Sequence, residues 1–176
     1  MNATHLLAAG VLHLNNYPDD KPPPGITDLF SAGARWMHDR LGELEGKHPA
    51  PFDPTKNYTF YGWLKYGICG TGFLLSLIGL SKYSLLFMPL SLLFFYLLEI
   101  HFLFLFPLLI DHSTNPIGMG IKEVYKIGVF KCLITVIPIG VFMMIGLLRK
   151  DDRFRNWYIG CLAILIWYNN EARNRI

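Results

Sequence analysis

Four ionisable side chains, Glu99, His101, Asp111 and His112, lie in or directly after the most apolar stretch of this sequence, residues 85–110. Carboxyl and imidazole groups can transfer protons near neutral pH when their surroundings tune their pKa values. An ionisable group is costly in hydrocarbon, so its presence within a membrane helix is by default a functional-site hypothesis. We therefore take these four residues as the candidate acid–base groups of the chain.

The spacing of the four side chains places them on different sides of a helix. Glu99 and His101 are two positions apart and would be separated by about 200°, so they face different neighbours. His101 and His112 are eleven positions apart, about three turns, and share one side. This spacing predicts a polar track toward one end of the helix. Interhelical hydrogen bonding explains Glu99 and His101 equally well, and a solvated helix end explains Asp111 and His112.

The motifs of the chain do not support a sharper catalytic or cofactor assignment. HExxH, the phosphate-binding loop, the nucleophile elbow and the dinucleotide fingerprint are absent from the sequence. The six histidines are scattered rather than gathered in boxes, and none falls in the other predicted spans. Cys69, Cys132 and Cys161 lie in three different apolar segments, where we expect small buried hydrophobes. We expect no metal site, and the sequence identifies no cofactor.

The composition is typical of a membrane protein. Of the 176 residues, 52% are hydrophobic and only 16% are charged, compared with roughly 25% charged in soluble domains. Most of the apolar excess follows Trp63. The net charge of +3 is small and diffuse, and no basic stripe with interleaved aromatics is present. We therefore expect the lipid bilayer, and not nucleic acid, as a partner.

Four apolar segments predict the architecture, at residues 61–80, 85–110, 129–148 and 156–170. A spanning helix needs roughly 20 apolar residues, so the first three are long enough. The fourth is short, but Trp-Tyr pairs bracket it like interfacial anchors, which favours a span over a half-buried segment. We expect Lys65 to snorkel outward, Pro107 to kink or end the second helix, and residues 111–128 to form a loop.

The region before these segments has a different character. Residues 1–56 are predicted to be extramembrane or interfacial, and residues 57–176 to form the bundle. Residues 26–45 carry an apolar stripe at helical spacing, which predicts an amphipathic helix. Proline-rich linkers flank it. The basic segment at 149–155 favours a cytoplasmic location for that loop, with both termini on the other side.

Together these features predict an all-α, multi-pass transmembrane helix bundle of three or four spans. The favoured function is that of a non-catalytic subunit packing against other membrane helices in a larger assembly, since small residues such as Gly72 and Ser76 permit close packing. One alternative is a membrane enzyme acting on a lipid or isoprenoid-like substrate through the four candidate residues. Another is a proton or small-solute pathway in an oligomer. Both alternatives require polar groups around Glu99 to converge on a cavity.

Overall fold

The structure is a computed structural model that describes residues 2–16, 29–46, 51–111, 113–148 and 154–173. Every regular element in these ranges is a helix. The α-helices are α1 (Ala3–Asn16), α2 (Leu29–Glu45), α3 (Tyr58–Ser81), α4 (Leu90–Glu99), α5 (Leu105–Ile110), α6 (Pro116–Ile127), α7 (Val129–Leu147) and α8 (Arg155–Trp167). The linker predicted at residues 17–25 lies outside the described residues.

Three helical segments in the described part of the chain are long and apolar enough to cross a membrane, namely α3, the run Leu85–Ile110 and α7. They match the predicted spans at 61–80, 85–110 and 129–148. The predicted fourth span is not among them. Helix α8 has 13 residues, or about 20 Å of length, and it packs against α1, α2 and α7.

The run Leu85–Ile110 is interrupted where a continuous helix was predicted. A 3₁₀ turn, Ile100–Phe102, separates α4 from α5. The cause lies downstream, because Pro107 has no N–H to donate to the carbonyl of residue 103 and its ring crowds that carbonyl. Phe104 accordingly leaves the helical region, with φ −99° and ψ 13°. The interruption expected at Pro107 is thus found several residues before it, between α4 and α5.

The loop prediction for residues 111–128 is wrong between Pro116 and Ile127, which form α6. Asn115 caps this helix, because its side chain accepts a hydrogen bond from the Gly118 amide at 3.0 Å. Pro116 occupies the first turn, where its missing N–H costs nothing. Pro116 and two of the glycines of this segment therefore belong to a helix that packs back on α5.

Close helix approaches depend on glycines. A Cβ on Gly10 of α1 would lie 2.8 Å from the Ile159 carbonyl oxygen of α8. A Cβ on Gly72 of α3 would lie 2.2 Å from a methyl carbon of Leu98 in α4. A side chain at Gly10 would collide with the backbone of α8, so glycine sets the distance between α1 and α8, whereas a side chain at Gly72 would displace the Leu98 side chain.

Candidate functional site

Glu99 forms an ion pair between two of the apolar helices. It is the last residue of α4, and its Oε1 lies 3.3 Å from Nζ of Lys65 on α3. The two side chains are only 18% and 10% exposed. Helices α3 and α4 follow each other along the chain and pack together, so the pair joins the two arms of a helical hairpin. The expectation that Lys65 snorkels outward is wrong, because Glu99 supplies an opposite charge inside the protein.

An aromatic layer lies beside this ion pair. Nζ of Lys65 is 5.2 Å from the ring centre of Tyr66. Phe30 of α2 stacks on Tyr66 at 6.0 Å between ring centres. Phe30 comes this close because it lies over Gly62, where a Cβ would be 2.3 Å from the ring. The aromatic cover and the paired charge together offset part of the cost of taking both ions out of water.

His101 is satisfied within its own helical run. Its Nδ1 lies 2.8 Å from the carbonyl oxygen of Leu97. A carbonyl oxygen only accepts, so Nδ1 carries the proton and donates in this bond. The imidazole ring packs edge-on against Tyr125 of α6, with 5.9 Å between ring centres. His101 therefore contacts α6, while Glu99 contacts α3, as their spacing predicts.

Asp111 connects the end of α5 to the residues after α8. Its Oδ2 accepts a hydrogen bond from the Tyr168 hydroxyl at 2.6 Å, and its Oδ1 accepts one from Nη2 of Arg173 at 2.7 Å. Arg173 also pairs with Glu45 of α2 at 2.8 Å. Since Asp111 is held by two donors and Arg173 by two acids, this network ties three parts of the chain together.

Lys56 lies near the same network, just before α3. Its Nζ donates a hydrogen bond to the carbonyl oxygen of Leu109 in α5. Burial lowers the pKa of the Lys56 ammonium group, and the charges of Asp53 and Asp111 partly offset that effect. The lysine thus fixes the start of α3 to the end of α5 on the Asp111 side of the molecule.

The candidate residues do not converge on one site in the described part of the structure. Glu99, His101 and Asp111 each contact a different element, and His112 lies outside the described residues. A cavity of about 290 Å³ lies elsewhere, between α1, α2 and the end of α8. Among the described residues, no group of three or more His, Cys, Asp or Glu side chains has the geometry to hold a metal ion.

Sequence reasoning missed Lys65, Tyr168 and Arg173 as partners of the candidate acids. For Lys65 a signal exists, because it precedes Ser81 by 16 residues while Glu99 follows Ser84 by 15. Two charges at nearly equal distances from a tight turn meet at about the same level of an antiparallel hairpin. Tyr168 and Arg173 have no such signal, since their contacts with Asp111 bridge 57 and 62 positions.

Comparisons with known proteins found no significant match: no family model fits the chain, and no curated protein and no solved structure is significantly similar to it. Function is therefore inferred from the contacts and the exposed side chains of the described residues.

Proposed function

We propose that this chain is an integral membrane protein that crosses the bilayer with α3, the run Leu85–Ile110 and α7, and serves as a non-catalytic subunit of a larger membrane assembly. One observation carries the membrane part of the proposal. The most apolar 18-residue window of α3 is only 11% buried within the chain. An apolar helix left uncovered by its own protein needs lipid or another helix around it.

The exposed side chains of the three segments support a lipid environment. On α3, Leu74, Leu75 and Ile78 are 55%, 66% and 56% exposed. Similar residues are exposed along the first half of the second segment and along α7, among them Leu86 and Ile145. Such an extended apolar surface is a binding or membrane surface in a folded protein.

The lengths of α3 and α7 are close to the thickness of a bilayer, and we place one bilayer edge at the Lys65–Glu99 pair, so that the part of the second run inside the hydrocarbon is its first half. From Lys65 to Ser81, α3 extends about 25 Å, and the 19 residues of α7 extend about 28 Å. The hydrocarbon core of a bilayer is about 30 Å thick. On this placement Glu99 and His101 lie near the headgroups and not at mid-depth, where a charge costs most.

The candidate acids support a structural role over a catalytic one. Glu99 neutralises Lys65, and Asp111 holds Tyr168 and Arg173. The described cavity is lined by none of them. An acid–base enzyme or a proton pathway needs its groups directed at a substrate or at water. The enzyme and pathway hypotheses therefore gain no support from the contacts of the described residues.

Open glycines on α3 support a partner helix. A Cβ added at Gly67 or at Gly70 would meet no heavy atom within 4 Å. Gly67 and Thr71 are both exposed and four positions apart, which is the small-xxx-small spacing that allows helices to approach closely in lipid. The partner would cover this part of α3.

The proposal is tested by comparing two glycine variants of the chain in its native membrane. Gly67→Leu fills the open face, so we expect a stable chain that loses its partner in a mild-detergent extract. Gly72→Leu collides with Leu98 and is the control for damage to the chain itself, which we expect to lower its Tm. The readout is the mass of the complex that contains the 20.2 kDa chain.

Two outcomes would contradict the proposal. If alkaline carbonate releases the wild-type chain from membranes, the chain is not integral. If the wild-type chain stays in the membrane but migrates alone, or keeps its partner in the Gly67→Leu variant, the subunit assignment through α3 is wrong.

A further inference from the structure

The exposed side chains of α6 and of the start of α7, which we call the outward face of this segment, carry charge of one sign. The exposed charged side chains of residues 116–131 are Lys122, Lys126 and Lys131. Lys126 pairs with Glu123, whose side chain is only 4% exposed, and Lys131 pairs with Glu171, which is 15% exposed. Because the carboxylates lie beneath and the ammonium groups lie outside, this face presents positive charge to its surroundings.

Lys122 differs from the other two lysines. Among the described residues it forms no hydrogen bond and no ion pair, whereas Lys126 and Lys131 each have an acidic partner. No described residue therefore neutralises its ammonium group. An exposed, uncompensated lysine is a ready donor for an anionic group that approaches this face.

The same face contains exposed aromatic side chains. Tyr125 is 63% exposed and Phe130 is 75% exposed. Tyr125 packs on His101, two residues beyond Glu99, so it lies close to the proposed bilayer edge. Phe130 is the second residue of α7, at the start of that apolar helix. Aromatic side chains with neighbouring lysines are typical of the membrane–water interface.

We infer that this face, defined by Lys122, Tyr125, Lys126, Phe130 and Lys131, binds the headgroups of anionic phospholipids. The inference rests on the proposed membrane function and adds the lipid class. The lysines donate to the headgroup phosphate, while Phe130 contacts the first methylenes of the acyl chains. The adjacency of cationic and apolar groups favours a lipid over a soluble anion, because a soluble anion offers nothing to Phe130.

The experiment uses the purified full chain in a neutral detergent with equimolar phosphatidylglycerol and phosphatidylcholine, and native mass spectrometry counts the bound lipids. We expect wild type to retain phosphatidylglycerol preferentially. Lys122→Gln should lower the ratio of bound phosphatidylglycerol to bound phosphatidylcholine about fivefold, because one lysine near an anionic lipid surface contributes an attraction of that size. Lys122→Arg should keep the ratio. Lys82→Gln, which removes an exposed lysine after the other end of α3, is the matched control and should leave it unchanged.

Three results would overturn the inference: equal binding of the two lipids by wild type, an unchanged ratio in Lys122→Gln, or an equal loss in Lys82→Gln. Failure of the proposed function is a separate result, namely release of the wild-type chain from membranes by alkaline carbonate. A chain that stays in the membrane without a lipid preference contradicts the lipid inference alone.

Discussion

The two halves of the run Leu85–Ile110 are equally apolar and have opposite surroundings. In the first half, Leu86 is 82% exposed and Phe94 is 47% exposed. In the second half, Phe104 and Leu108 are at most 1% exposed, because α2, α3 and α6 cover α5. The change occurs around Glu99. The hydrophobicity of a segment therefore does not predict whether lipid or the rest of the protein surrounds it.

The largest expected effect comes from two phenylalanines in these halves. Phe104→Ala removes a fully buried ring, and we expect it to cost about 3–5 kcal/mol of unfolding free energy through lost burial and a cavity. Phe94→Ala, in the exposed half, is the matched control and should cost far less. Chemical denaturation in detergent measures both. Equal losses would mean that Phe94 is also packed in the folded chain.

The boundary between the halves is tested at the Lys65–Glu99 pair. Glu99→Gln leaves Lys65 charged and largely buried, so we expect a loss of about 3 kcal/mol of unfolding free energy. Adding Lys65→Met should restore most of that stability, because it removes the buried ammonium group that Glu99→Gln leaves without a counter-charge. If the double variant is as unstable as the single one, the pair does not act as a unit.

The smallest expected effect lies at the end of the buried half. Asp111→Asn removes the charge that faces Arg173 while an amide oxygen can still accept a hydrogen bond. Because Asp111 and Arg173 are 21% and 26% exposed, we expect a loss of only about 1 kcal/mol. Thermal unfolding of Asp111→Asn and of Glu99→Gln, measured under the same conditions, compares the two losses of stability. A larger loss for Asp111→Asn would reverse the ranking of the two sites.

Much of the helical architecture could be predicted from the sequence, because length and apolarity alone identify α3, the second run and α7. The helix α6 could not, since Asn115-Pro116 and the glycines after it occur in both turns and helix starts. The partners of the site were harder still. Glu99 and Asp111 stand out as acids near apolar segments, but the contact of Asp111 with Arg173 depends on tertiary packing of distant parts of the chain.

The central claim is that hydrocarbon covers the exposed faces of α3, the first half of the second run and α7. Nitroxide labels at Leu75, Leu92 and Lys82, introduced through cysteine on a background without the native cysteines, test it in lipid vesicles. Accessibility to oxygen and to a water-soluble nickel chelate is then measured for each label. We predict that the labels at Leu75 and Leu92, which replace side chains 66% and 53% exposed, are reached by oxygen and not by nickel, while the label at Lys82 is reached by nickel. Equal nickel access at all three positions would contradict the claim.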